Sequence, residues 1–258
     1  MKVLVSLGGN AILQHGQKGT AEQQATNVQN TAKHLARLLR RGERITITHG
    51  NGPQVGNILL QNEIAKDILP PMPLDVCGAE SQGMVGYMLQ RAMRTELDAG
   101  GPNLPVTTLI TQTLVLEKET IIRLFEAGTV VISAGGGGVP VIRDKDGMLR
   151  GVEAVLDKDR TAALLAKIVG VETLLILTDV EKVSINYGKP GQRGLDRMTV
   201  RECRRYLDEG QFPAGSMGPK IESAISFLTG AGKRRAVIAS LKSAEEALNG
   251  TAGTTIIN

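Results

Sequence analysis

KVLVSLGGNAIL, residues 2–13, reads as a buried strand over residues 3–7 that runs straight into Gly8-Gly9-Asn10. A short apolar run bounded by a glycine turn fits a central strand of a parallel sheet. Paired glycines at the carboxyl end of such a strand let the backbone bend sharply and come close to a ligand. That end of an open α/β sheet is also where ligands bind. Taken alone, the motif is equally an ordinary tight turn. Three later stretches repeat it. Residues 44–48 end in HGNGPQVG, residues 129–134 end in Gly135-Gly136-Gly137-Gly138, and residues 173–177 end in Thr178-Asp179.

The segments between these strands are helical. Residues 20–41 carry an apolar stripe, Val28, Ala32, Leu35 and Leu39, behind a Thr20/Gln23 capping box, with Gly42 as the stop. Residues 78–101 read as a long helix interrupted by Gly83 and Gly86, which a close helix or subunit contact would justify. Residues 106–115 form a β-rich run, and residues 118–127 a short helix. Asp157 or Asp159 caps a helix over residues 160–169. Residues 183–195 have hairpin chemistry, and residues 199–208 are amphipathic. Pro219 opens a helix after the loop at residues 215–220, so Lys220 projects from a helix start. Strands alternating with helices predict a three-layer α/β/α sandwich with a mainly parallel central sheet, a single domain over residues 1–258.

With 258 residues and 41% hydrophobic content, the chain can bury a large core. Aromatic residues make up only 2%, which argues against base stacking on aromatic platforms. A net charge of +4 with both signs mixed suits a small anionic ligand and is too dilute for nucleic acid. Cys77 and Cys203 have neither disulfide nor metal spacing and read as buried fillers. The chain enters a strand directly, and no apolar run reaches roughly 18 residues, so a cytoplasmic protein without a membrane span is expected.

Glycine-rich strand ends and two lysines at helix starts are what holds phosphates in place: backbone amides, helix dipoles and ammonium groups. Phosphoryl transfer needs charge neutralisation and in-line placement more than covalent help. Gly50-Asn51-Gly52 precedes Pro53 in a G-x-G-x-x-x-G spacing that is not the dinucleotide fingerprint, and no Walker motif is present. His49 reads as a structural hydrogen-bonding residue, because no partner acid is evident. The residues by themselves therefore indicate an anion-binding α/β protein with phosphotransferase chemistry.

At these same stretches the sequence resembles the carbamate kinases of the amino acid kinase superfamily. The matching motifs are LGGNAI, ITHGNGPQVG, PPMPLDVCGA with SQGMVGYMLQ, AGGGGVPVI, GVEAVLDKD, LLILTDVEKVSINYGKP and GSMGPKIESAI, in the family's order over most of the chain. The resemblance implies the amino acid kinase fold and reversible phosphoryl transfer between ATP and carbamate, with Mg²⁺. It also implies a homodimer and, in arginine fermentation, flux towards ATP. By matching motif, Lys158 and Lys220 stabilise charge and Asp159 organises them, while Gly8, Gly9 and Asn10 approach the phosphates. Gly50, Asn51, Gly52, Gly135 and Gly136 lie on the carbamate side. Asp179, Val180, Tyr187, Met217 and Gly218 lie on the nucleotide side. Similar kinases of amino-acid carboxylates place a lysine two residues before the first glycine. Here that position is Ser6, and Lys158 supplies the charge.

One departure stands out. Carbamate kinases carry a protruding lid that contributes a lysine near carbamoyl phosphate, whereas this chain passes from Val115 to Glu117 with no excursion. Two other functions stay open on the sequence: a same-fold kinase for another small carboxylate acceptor, and a weakly active sensor.

Overall fold

A computed structural model describes residues 1–230 and 232–258. In chain order it contains β1 (Lys2–Leu7), α1 (Ala21–Arg40), β2 (Arg44–His49), α2 (Gly52–Ala65), α3 (Leu74–Asp98), β3 (Val106–Thr108), α4 (Lys118–Glu126) and β4 (Val130–Ile132). The hairpin β5 (Val141–Arg143) and β6 (Leu149–Gly151) leads to α5 (Lys158–Val169) and β7 (Thr173–Thr178). A second hairpin, β8 (Ser184–Ile185) and β9 (Arg193–Gly194), precedes β10 (Arg197–Thr199), α6 (Val200–Asp208) and α7 (Met217–Leu228). The described chain closes with β11 (Arg235–Ser240), α8 (Ala244–Asn249) and β12 (Thr254–Ile257).

Eight strands form one sheet in the order β10-β12-β11-β7-β1-β2-β4-β3. Every neighbouring pair is parallel except β11–β12. From β1 the chain first builds outward through β2 towards β3, then returns to build β7 and β11 on the other side. The strand order therefore reverses at β1, and a crevice opens at the carboxyl ends of β1 and its neighbours.

Residues 3–7 of β1 are all buried. Val3, Val5 and Leu7 pack in one core with Val28 and Leu35 of α1, Leu89 of α3 and Leu248 of α8. Leu4 points the other way, into a core with Phe125 of α4, Leu165 of α5 and Phe227 of α7. Apolar surface on both faces of the sheet is what makes the arrangement three layers deep.

The capping box at Thr20 and Gln23 forms in both directions, and a second one forms at Thr199 and Glu202. Three expectations need correction. The long helix begins at Leu74 rather than at residue 78, because Pro73 stands at its N-cap in an extended conformation and the helix follows at once. Of the β-rich run at residues 106–115, only Val106–Thr108 is strand. Leu114 (φ 58°) and Val115 (φ 55°) adopt the left-handed conformation, which bends the chain directly into α4. That conformation is unfavourable for a β-branched residue, so sequence preference pointed the wrong way. Gly86 meets a strand rather than a second helix. A Cβ there would lie 2.2 Å from Thr108 Cγ2, so this glycine lets β3 lie against α3.

Candidate active site

Asp157 caps α5, its carboxylate accepting from the Arg160 amide at 2.8 Å. Of the two aspartates able to cap, the structure uses the first. That leaves Asp159 free to turn inward with Lys158 from the same first turn. Lys220 occupies the first turn of α7. Lys158 Nζ stands 2.6 Å from Asp159 Oδ1, and Lys220 Nζ stands 3.2 Å from Asp159 Oδ2. Burial pushes the Asp159 carboxyl up, but the two ammonium groups more than offset this and hold it below the usual carboxylate range. Burial pulls the Lys158 ammonium below its ordinary value, and Asp159 opposes that shift. The result is a charged triad with a net positive charge, ready to receive an anion.

A cavity of about 340 Å³ opens beside this triad. Lys158, Lys220, Gly8, Gly9, Asn10, Asp179, Val180, Tyr187 and Met217 all line it. Gly218 does not; its amide donates to the Pro213 carbonyl at 2.9 Å, and a Cβ would stand 3.1 Å from that oxygen. This glycine shapes the loop from behind. Sequence reasoning missed Lys182, Ser184, Phe212 and Ser216, which also line the cavity. Lys182 sits three residues after Asp179 and was within reach of inspection. Phe212 was not, because it is brought in by edge-on packing against Tyr206, with ring centroids 6.2 Å apart.

Asn51, Gly135 and Gly136 line a second, much smaller cavity of about 30 Å³ with Gln82, Pro140 and Leu156. The two glycines are needed by neighbouring side chains. A Cβ on Gly135 would fall 2.5 Å from His49 Cε1, and one on Gly136 would fall 2.2 Å from Asn51 Oδ1. A Cβ on Gly52 meets nothing within 4 Å. The crowding lies at Gly50 instead, where a Cβ would press on Gly9 N at 3.3 Å and Lys158 Cδ at 3.4 Å. Gly50 thus packs against both the phosphate turn and the lysine. Gly50→Ala must push Gly9 or Lys158 aside by a few tenths of an ångström. Against roughly a hundredfold for a full 1 Å, kcat/KM should fall by about tenfold with the fold retained. Unchanged kinetics would remove Gly50 from the site.

His49 is buried, and its Nδ1 donates to the Gly50 carbonyl at 3.1 Å. Burial, reinforced by the Lys158 charge and opposed by that hydrogen bond, lowers its pKa from 6.5 to about 4. The ring is therefore neutral at neutral pH and serves as a spacer between Gly50 and Gly135. Because the unfolded chain takes up the proton first, stability contributed by the neutral ring is present above pH 6.5 and is lost as pH falls towards 4. The loss across that window should be roughly 3 kcal/mol. Denaturant unfolding of the parent and of His49→Gln at several pH values checks it: the parent's slope between pH 6.5 and 4 should flatten in the variant.

Among the described residues, no group of three or more His, Cys, Asp or Glu side chains is placed to hold a metal ion. Cys77 and Cys203 are free and buried. No described helix is long and apolar enough to cross a membrane.

The amino acid kinase family profile matches residues 1–240. A carbamate kinase of Pyrococcus horikoshii is 41% identical, the match covering 99% of this chain and 98% of that protein. The structure of a carbamate kinase from Giardia lamblia bound to AMP-PNP superposes with a TM-score of 0.97 at 39% identity, covering 100% of this chain and 98% of that one. A UMP kinase from Bacillus anthracis, at 16% identity and a TM-score of 0.64, shares the fold alone. The Pyrococcus alignment runs over 311 positions against a chain of 258 residues, so that relative carries a segment this chain lacks. The chain belongs to the amino acid kinase family, on its carbamate kinase branch.

Proposed function

We propose that this protein transfers a phosphoryl group reversibly between ATP and carbamate, running towards ATP where carbamoyl phosphate is supplied. The observation that carries the reading is the Lys158–Asp159–Lys220 triad, whose two lysines line a nucleotide-sized cavity of about 340 Å³. The full-length likeness to carbamate kinases favours carbamate over the larger carboxylates used elsewhere in the family.

In the ATP-forming direction, a β-phosphate oxygen of ADP attacks the phosphorus of carbamoyl phosphate. The bond from phosphorus to the carbamoyl oxygen breaks, and its electron pair leaves on carbamate. The nucleophile is already an anion, so no general base is required and neutral His49 is given no such role. What the transition state needs is positive charge on the equatorial oxygens and on the leaving group. Lys158 and Lys220 supply it, held apart and oriented by Asp159. The amides of Gly9 and Asn10 hold the transferring phosphate beside Gly8, whose own amide donates to the Leu177 carbonyl at 2.9 Å, and Asp179, Val180, Tyr187 and Met217 hold the nucleotide. Mg²⁺ would enter with the nucleotide substrate and neutralise charge on its phosphate oxygens.

A cytoplasmic location goes with these nucleotide substrates. A homodimer goes with the open edge of β3, the last strand of the sheet, beside exposed Met84, Tyr87 and Ile110. Sedimentation velocity measures the oligomeric state directly. The function itself is tested by incubating purified protein with ADP and carbamoyl phosphate and assaying ATP. Absence of ATP at saturating acceptor overturns the reading and points to another acceptor or a sensor.

A further inference from the structure

Ser6 is a fully buried polar residue near the carboxyl end of β1, a central strand of the sheet. It pairs in register with Thr48 on β2 and Ile176 on β7. On its own face of β1 the preceding inward residue, Leu4, packs into the apolar core beneath α5. A hydroxyl placed there is unfavourable unless it is hydrogen-bonded. Its partners are two members of the triad. Ser6 Oγ donates to Asp159 Oδ1 at 3.3 Å and accepts from Lys158 Nζ at 3.4 Å. A hydroxyl can give to the carboxylate and take from the ammonium at once, which no apolar residue of this size can do. Gly50 also stands against the lysine stem, 3.4 Å from Lys158 Cδ when a Cβ is built on it.

We propose that Ser6 is a positioning residue for phosphoryl transfer, holding the Asp159 carboxylate and the Lys158 ammonium in register from beneath the cleft. It has no exposed surface and touches no substrate, so it acts only through those two side chains. When an anion draws the lysines towards the cleft, Asp159 keeps the Ser6 hydroxyl as a donor. Slack hydrogen bonds of this kind in a ligand-free site tighten in the loaded enzyme. The inference rests on the triad being the catalytic site.

The charged and titratable groups that face Lys158 are Asp157, Asp159, Lys220 and His49. None of these changes in Ser6→Ala, so a shift in the titration of Lys158 reports the lost hydroxyl. ATP formation from ADP and carbamoyl phosphate should be measured across pH for the parent, Ser6→Ala, Ser6→Thr and Lys158→Ala. Ser6→Ala should lower kcat by about tenfold, the size of one hydrogen bond to a charged group, with KM for ADP within about twofold. The alkaline limb of its kcat profile should move to lower pH, because the ammonium has lost an acceptor. Ser6→Thr, which restores the hydroxyl, should recover both. If Ser6→Ala melts below the assay temperature, Ser6→Cys carries the same expectation in a side chain of similar size. A loss of activity with an unmoved alkaline limb reports packing alone and overturns the proposal, as does an unchanged kcat. If Lys158→Ala keeps its turnover, it is the site reading that fails, which separates the two.

Discussion

Lys158→Ala and Lys220→Ala should each lower kcat by on the order of 10²–10³, the scale seen when one preorganised donor to a developing charge is removed. Both ammonium groups are nearly buried, with 16% and 14% of their side chains exposed, so bulk water cannot replace them. Both bond the same carboxylate through different oxygens, so neither removal leaves Asp159 wholly unpaired. Folding should therefore survive, and circular dichroism of each variant checks this before kinetics are compared. The double variant should lose less than the product of the single losses, because groups acting as one unit are not additive. Near-parental turnover in both single variants would falsify the assignment of the triad.

The second large effect concerns the acceptor. Between β3 and α4 the chain has only the bend at Leu114 and Val115, where the family's lid is expected from the sequence resemblance. Lids exclude water, complete the set of charges and hold the substrate. Leu114 is 71% exposed at this bend, while Val115 beside it is buried in the core. The acceptor side should accordingly be one cation poorer, worth roughly 1.5–3 kcal/mol or ten- to a hundred-fold in affinity. ADP should show an ordinary KM and carbamoyl phosphate a raised one, with turnover appearing mainly at high acceptor concentration. Steady-state kinetics beside a lid-bearing carbamate kinase decides this. Equal carbamoyl phosphate constants would show that the β8–β9 hairpin or a second subunit closes the site instead.

The local grammar of the chain was sufficient for the layers and most of their boundaries. Buried runs such as VLVSL and TLLIL, the capping box at Thr20 and the stop at Gly42 act through neighbours within one or two turns, so they are readable in order. The two lysines and Asp159 were legible for the same reason, each standing at a marked helix start. What the local pattern could not contain was everything decided by contacts across the fold. The pairing of Asp159 with Lys220 spans 61 positions, and that of Ser6 with Asp159 spans 153. Gly50 is tight and Gly52 is free because of where Gly9 and Lys158 come to rest, not because of their own sequence. The left-handed bend at Leu114 and Val115 runs against the β preference of its residues and is set by the need to connect β3 directly to α4. Sequence by itself determined which elements form and which residues can carry charge. The tertiary structure decided which of those charges meet, how much room the acceptor has and which glycines are indispensable. Those quantities are distances between residues far apart in the chain, and only packing sets them.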